Sequence, residues 1–336
     1  MSPRTPSTGE EAPPLWRRVL PFLLAGSLLA LVLFRIDFDA FVTALRGTNY
    51  WAFFAFVFVF NVALLSADSW ATAHVYHHTI CPVRFREVWL IRGASYLPAM
   101  FNHHVGQGWL TYFIAKRYKA SLWRVAGATL VVYATTFGCL TIFGALALIL
   151  VGNRLAWLPP LLLVIGAAGL GYMLVVYIRP AFLRQRKAVA PLMELGVWGH
   201  LRELIHRIPH MCVLFLGSWL PFAFFGISIP LGEALAYIPV LMVAAALPIT
   251  PQGVGTRDVL ALQLFAQYAP GTPEQQSAAI AATTLSWVVG LTVVQAFFSP
   301  ILMRRAQKLL QQADSTGAAQ QGLNDASIPM STHELE

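Results

Sequence analysis

The segment Thr250–Asp258, with the sequence TPQGVGTRD, has the residue types of an anion-binding site. The backbone NH groups of a Gly-Val-Gly turn that leads into a helix point at a ligand and carry the positive end of the helix dipole. Arg257 could add two parallel donors to a phosphate. Asp258 could pair with a polar partner elsewhere or with Arg257, in which case the two charges could simply neutralise each other and pin the helix. The predicted substrate-binding residues are Gly253, Val254, Gly255, Thr256, Arg257 and Asp258.

A second group of polar side chains lies between Pro98 and Gly108. His103 or His104 could titrate a proton or contact a phosphate, and a loop histidine satisfied by its neighbours is the alternative. A metal site is not predicted here or elsewhere, because no further histidine or carboxylate has a spacing that completes a ligand set. Three residues are predicted to line the side of the binding site opposite Arg257: Asn102, His103 and Gln107.

No ligand-binding role is predicted for five other polar residues. Asn61 and Asp68 lie within an apolar run and are predicted to hydrogen-bond between helices rather than to bind a ligand. The three histidines His74, His77 and His78 are expected at the cytoplasmic interface, with no assigned role.

The composition indicates that these residues are positioned by membrane helices. Of the 336 residues, 57% are hydrophobic and only 11% are charged, against roughly a quarter charged in a soluble domain. The net charge of +8 falls in short clusters between apolar runs, so a nucleic-acid partner is not predicted. The motifs GxSxG, P-loop and HExxH are absent, so neither an enzyme nor a cofactor is predicted.

Apolar runs near the roughly 20 residues needed to cross a bilayer predict an all-α integral membrane protein. Six transmembrane helices are predicted, near residues 18–34, 50–73, 123–150, 156–178, 208–229 and 277–301. Residues 15–308 form the predicted polytopic membrane domain. The polar ends, residues 1–14 and 309–336, are predicted to be disordered and cytoplasmic.

Two further apolar segments, Gly93–Tyr118 and Leu241–Tyr268, are predicted to be broken in the middle. Pro98 and Pro248 each remove a backbone donor, and nearby glycines permit turns. Each segment follows an aromatic-rich span and precedes a long span, so the chain is interpreted as two repeats, near residues 50–150 and 205–303.

The distribution of basic residues predicts that both broken segments are re-entrant hairpins, each of which returns to the side it entered. With the N-terminus inside, this arrangement places most of the 23 Lys and Arg residues, Arg92 and Arg207 among them, on the cytoplasmic side. If the segments crossed instead, the basic residues would divide about evenly. The two repeats are then inverted relative to each other, in a plasma (inner) membrane protein with both termini cytoplasmic.

The motif PITPQGVGTRDVLAL resembles the signature of the lysylphosphatidylglycerol synthase transmembrane region family, also described as the flippase-like domain family. Pro251, Gly253, Gly255 and Arg257 match its pattern, while Gln252 replaces a glycine and Asp258 stands in place of Glu. The upstream sequence LPAMFNHHVGQG is similar to the family's first motif, with Gln107 in the position of its Glu and Leu110 in that of its basic residue. The soluble aminoacyl transferase domain of larger relatives has no counterpart in this sequence.

The resemblance implies a membrane domain linked to lipid translocation, polyprenyl-linked glycans, hopanoids or aminoacyl lipids. The leading hypothesis is a protein that admits an anionic or glycosylated lipid headgroup between two inverted hairpins and moves it between leaflets. Its lipid partner would be a phospholipid, a polyprenyl-phosphate glycolipid or a hopanoid-type lipid. An accessory subunit that presents lipid to a glycosyltransferase or another lipid-modifying membrane enzyme is the alternative, and a membrane-embedded transferase is a third reading.

Overall fold

The computed structural model describes residue 27 and residues 37–101, 103–152, 156, 158–246 and 255–326. Over these residues all regular structure is helical, as the fold class predicted. The helices are α1 (Phe38–Arg46), α2 (Tyr50–Thr79), α3 (Phe85–Phe101), α4 (His103–Arg117), α5 (Leu122–Val151), α6 (Leu158–Ile178), α7 (Ala181–Arg184), α8 (Ala190–Trp219), α9 (Pro221–Phe224), α10 (Leu231–Ala246), α11 (Thr256–Phe265) and α12 (Pro273–Ala326), with a 3₁₀ turn at Ala266–Tyr268.

Five helical stretches in the described part of the chain are long and apolar enough to cross a membrane. They are Tyr50–Thr79, Leu122–Leu150, Leu158–Ile178, Ala190–Phe224 and Pro273–Gln311. Five of the six predicted spans correspond to them, and the sixth, near residues 18–34, lies outside the described residues apart from residue 27. Long apolar runs mark all or part of each of these five helices, which is why the sequence identified them.

The span predicted at residues 208–229 differs most from the structure, because the helical stretch begins much earlier, at Ala190, is kinked at Gly196, where φ is 66°, and ends at Phe224. Charged residues in its first half made that half look like a loop. Two of them, Glu203 and Arg207, are only 1% exposed and pack inside the helix bundle. Ion pairs to other helices allow these charges to be buried.

Helices α2 and α8 form an antiparallel pair at the centre of the molecule. Asp68 of α2 contacts Arg207 of α8, and Phe60 packs on Gly217 further along α8. A side chain at Gly217 would overlap the Phe60 ring, so the close approach of the two helices requires glycine there. From the first contact to the second, the residue number falls from 68 to 60 on α2 and rises from 207 to 217 on α8, so the two helices run in opposite directions.

The first predicted broken segment folds back on itself as the helical hairpin α3–α4. Glu87 near the start of α3 pairs with Arg117 at the end of α4, and Gly106 lies against Ala99 near the turn. Pro98 lies inside α3, and the break falls between Phe101 and His103. The predicted return of the segment to its starting side is therefore consistent with its contacts.

The second broken segment is represented by α10 and α11, with residues 247–254 between them outside the description. Tyr237 of α10 packs on Phe265 at the end of α11, with ring centroids 6.4 Å apart. Helix α11 starts at Thr256, where the sequence predicted a helix start. Gly255 precedes it with a φ of 85°, a conformation that residues with a Cβ rarely adopt.

The two hairpins join the α2–α8 pair at opposite ends. Helix α3 begins shortly after the C-terminal end of α2. Phe265, at the base of the second hairpin, instead packs on Phe222 in the short helix that follows α8. The neighbouring Phe224 contacts Phe53 near the N-terminal end of α2. The first hairpin and the end of α11 therefore contact the α2–α8 pair at opposite ends.

The last helix continues to Ala326, into the tail that the sequence predicted to be disordered from residue 309. Its composition is rich in Ala, Gln and Leu, which are good helix formers, and extending an existing helix avoids the cost of a new nucleus. Residues 327–336 and the predicted disordered residues 1–14 lie outside the described residues.

Candidate functional site

The beginning of α11 is capped by its own third residue. The backbone NH of Gly255 donates a 2.9 Å hydrogen bond to Asp258 Oδ2. Asp258 is 2% exposed, and its other oxygen has no hydrogen-bond partner among the described residues. The carboxylate predicted to orient Arg257 is thus engaged with the backbone, and the two side chains do not form an ion pair in the structure.

Arg257 is directed to a different neighbour. One of its terminal nitrogens donates a 3.3 Å hydrogen bond to the backbone carbonyl of Thr284 on α12. The guanidinium lines a small cavity together with Gly217, Ser218 and Trp287. A guanidinium carries five N–H donors, so Arg257 brings a cationic, donor-rich group to this cavity.

The other predicted binding residues divide into three groups. Gly253, Val254 and Asn102 lie outside the described residues, and for Thr256 and His103 only the backbone is described. Gln107 is described, and its Oε1 accepts a 3.1 Å hydrogen bond from Arg92. Gln107 therefore supports an arginine that the sequence analysis had counted among the cytoplasmic residues.

That arginine belongs to a buried ionic cluster that the sequence analysis missed. Arg92 Nε donates to Asp68 Oδ2 at 2.6 Å, and Arg207 donates to Asp68 Oδ1, also at 2.6 Å. Thr72 accepts a longer 3.4 Å bond from Arg207. The three charged side chains come from α2, α3 and α8, so the cluster joins the first hairpin to the central helix pair.

The cluster carries more positive than negative charge. Two guanidinium groups share the carboxylate of Asp68. His210 Nε2 lies 3.9 Å from Asp68 Oδ1, the oxygen that Arg207 also contacts. Arg207 is 1% exposed, and its Nε has no hydrogen-bond partner among the described residues. An uncompensated charge in an apolar interior is costly. The arrangement is therefore suited to an additional anion.

Only one member of this cluster, Asp68, could be identified from the sequence. Asp68 was recognised as a polar residue inside an apolar run, and such a residue is expected to have a partner of opposite charge. Its partners could not be identified, because Arg207 is 139 residues away in the sequence and was assigned to the cytoplasmic surface. Arg92 and Arg207 are both part of the helix packing, and their place on the cytoplasmic side stays a prediction.

The two cationic sites lie along the same helix. Gly217, beside Arg257, is ten residues beyond Arg207 on α8, which corresponds to about 15 Å along the helix axis. At the level of Gly217, Phe60 packs on Trp287, with ring centroids 4.9 Å apart. Arg207 and Arg257 therefore lie at different levels along α8, and the aromatic pair lies at the level of Arg257.

The base of the first hairpin carries its own ion pair. Arg117 donates two hydrogen bonds to the carboxylate of Glu87, at 2.9 and 2.8 Å, and the Tyr118 hydroxyl donates a third at 2.9 Å. Burial raises the pKa of Glu87, but these bonds outweigh it and hold the pKa below its ordinary value. The pair ties the two ends of the hairpin together.

Comparison with known proteins gives a match to a protein family. No curated protein and no solved structure matches the chain. The family described as Lysylphosphatidylglycerol synthase TM region matches residues 18–293, which include both hairpins and both cationic sites. The match covers most of the chain. The chain belongs to the lysylphosphatidylglycerol synthase transmembrane region family.

Proposed function

We propose that the protein binds the anionic headgroup of a membrane lipid at the buried cluster of Arg92, Asp68 and Arg207 and moves that lipid between leaflets. The observation that carries the proposal is the sharing of one carboxylate by two guanidinium groups, that of Arg207 buried and that of Arg92 partly buried. A lipid phosphate is a bidentate acceptor for arginine and carries the negative charge that the cluster lacks. Membership of a lipid-related membrane family supports a lipid as the source of that anion.

Asp68 has a specific role in this proposal. Without a lipid, it holds both guanidinium groups in place and limits the cost of burying them. When a phosphate arrives, it shares the same donors, and the net charge of the cluster falls towards neutral. The headgroup is then bound by exchange of partners rather than by entry into an empty cavity.

In the proposal, the two hairpins form the route along which the lipid headgroup moves. Helix α3 turns back along α2, and its end lies about 14 Å beyond Arg92 along its axis. This brings the end of the first hairpin towards the level of Phe60, where Arg257 enters from the second hairpin. Two oppositely inserted hairpins that meet near the midplane are typical of transporters with inverted repeats. In this arrangement a headgroup passes between the levels of Arg207 and Arg257.

The proposal also includes the membrane that holds the protein and the class of lipid that it binds. The protein would act without enzymatic chemistry in the plasma (inner) membrane, with both termini cytoplasmic. A phospholipid, a polyprenyl-phosphate glycolipid or a hopanoid-type lipid fits the proposal if its headgroup is anionic. The second candidate is an accessory subunit that holds the lipid at the same cluster and presents it to a membrane enzyme, and bound lipid without transport would favour it.

The test compares two arginine variants in proteoliposomes that contain a fluorescent anionic phospholipid, with dithionite added to quench the outer leaflet. Arg207→Gln removes the surplus charge and leaves Arg92 and Asp68 as a neutral pair, so the protein should still fold. We expect lipid movement to fall at least about tenfold, since a bond to a charged group contributes about 1.5–3 kcal/mol.

The matched control is Arg305→Gln, which changes an exposed arginine on α12 and should leave the rate unchanged. Equal rates in the wild type and Arg207→Gln would remove the cluster from the mechanism.

A further inference from the structure

A second group of polar side chains lies between α2 and α8, closer to the C-terminal end of α2. His74 and His78 are one turn apart and face the same side of α2, and Glu203 approaches them from α8. One potential ligand atom from each of the three residues lies within 4.8 Å of the other two. The sequence analysis assigned no role to these histidines, because their carboxylate partner is far away in the chain.

Glu203 is buried and only partly satisfied. The side chain is 1% exposed, and Arg202 contacts Oε1 at 3.1 Å. The other oxygen, Oε2, is buried without a hydrogen-bond partner among the described residues. A buried carboxylate oxygen without a partner is costly, and this orphaned oxygen points to a missing cationic ligand.

The histidines are held in positions that suit a cation. His78 Nδ1 lies 3.3 Å from Glu203 Oε1, so the two residues already face each other. The ring of His74 stacks on His206, with centroids 4.1 Å apart and planes 16° apart. His206 is itself anchored by a 2.9 Å hydrogen bond between its Nδ1 and the carbonyl of Arg202. His78 Nδ1 also hydrogen-bonds to the carbonyl of His74 at 2.9 Å, and a contact of this kind orients an imidazole whose other nitrogen is a metal ligand.

The group is accessible from outside the protein. An open pocket beside it is lined by His74, His77, His78 and Trp70 on α2 and by Phe85 at the start of α3. An ion can therefore reach the histidines without opening the helix bundle, while Glu203 closes the inner side of the site.

We propose that His74, His78 and Glu203 bind a divalent transition-metal ion of the Zn²⁺ class. Two imidazoles and one carboxylate are a recognised ligand set for zinc, with a fourth position for water, and the nitrogen donors disfavour Mg²⁺ and Ca²⁺. The ion clamps α2 to α8. Glu203 lies one helical turn from Arg207, so the clamp holds α8 next to the cationic cluster. This inference is independent of lipid transport.

The experiment uses the full-length protein without a polyhistidine tag, stripped of metal by a chelator and titrated with Zn²⁺ by calorimetry in detergent. We expect saturable binding of about one ion per chain and no comparable binding of Mg²⁺. His78→Ala and His74→Ala should each weaken Zn²⁺ binding at least tenfold. His77→Ala is the matched control, because His77 lines the same pocket but is not one of the three ligands.

A measurement of thermal stability accompanies the titration. Zn²⁺ should raise the melting temperature of the wild type and of His77→Ala, because a ligand that binds the folded state stabilises it. Glu203→Gln keeps the shape of the side chain and should lose this shift. The proposal is overturned if the wild type shows no saturable binding, or if His77→Ala loses as much binding as His78→Ala.

Discussion

Asp68 is the residue on which the buried cluster depends, because two guanidinium groups donate to its two oxygens. In Asp68→Asn, two like charges remain buried without compensation, and breaking a buried ion pair in this way costs about 3–5 kcal/mol. We expect a large fall in melting temperature in neutral detergent.

An anionic lipid should partly reverse that loss if the cluster binds phosphate. Added phosphatidylglycerol should therefore raise the melting temperature of Asp68→Asn more than that of the wild type, whereas phosphatidylcholine should raise both equally. If phosphatidylglycerol raised the melting temperatures of Asp68→Asn and the wild type by the same amount, no anionic headgroup would reach the cluster.

Arg257 acts at the second cationic site in the proposal. In Arg257→Ala the small cavity beside Gly217 loses its charged donor, while the capping bond between Gly255 and Asp258 does not involve the arginine side chain. We expect transport of anionic lipid in proteoliposomes to be lost, with an unchanged elution profile and near-wild-type thermal stability. Transport at the wild-type rate would exclude Arg257 from the lipid path.

At the scale of the helical elements, Glu87 and Arg117 hold the ends of the first hairpin together. Glu87→Gln removes the charge but keeps the side-chain shape, and we expect a lower melting temperature at pH 7. Because the folded-state pKa of Glu87 lies below its ordinary value of 4.5, the pair stabilises the fold above that pH.

The difference in melting temperature between Glu87→Gln and the wild type should therefore shrink as the pH falls below about 4.5, where the carboxylate of the unfolded chain becomes protonated first, and it should be lost once the pH falls through the lower folded-state pKa. A difference that is constant from pH 7 to pH 3.5 would assign the effect to packing rather than to charge.

The helical elements were predictable to different extents. Continuous apolar length identified α2, α5 and α6, since a bilayer span needs little else. The early start of α8 was not predictable. Glu203 and Arg207 contact His78 and Asp68 on α2, and these contacts between distant parts of the chain are not visible in the sequence. The start of α11 was predicted as an anion site formed by the Gly253–Gly255 backbone and Arg257, and the structure shows that the Gly255 NH donates to the carboxylate of Asp258.

For the molecule as a whole, the proposed orientation can be tested by cysteine labelling. In a variant with Cys81, Cys139 and Cys212 replaced, single cysteines at Lys116 or Arg124 should react with an impermeant maleimide only from the cytoplasmic side. A cysteine at Arg46, before α2, should react only from the outside.

Labelling of position 116 or 124 from the outside would mean that the first hairpin crosses the membrane, and the two hairpins would then no longer enter from opposite sides. The proposed route for the headgroup would be lost with that arrangement.

Native mass spectrometry of the purified protein, released gently from its own membrane, tests the central claim most directly. We expect an anionic lipid to remain bound to the wild type and to Arg305→Gln, and to be lost from a variant in which Arg92 and Arg207 are both replaced by Gln. The same lipid bound equally to all three proteins would contradict a headgroup site at the buried cluster.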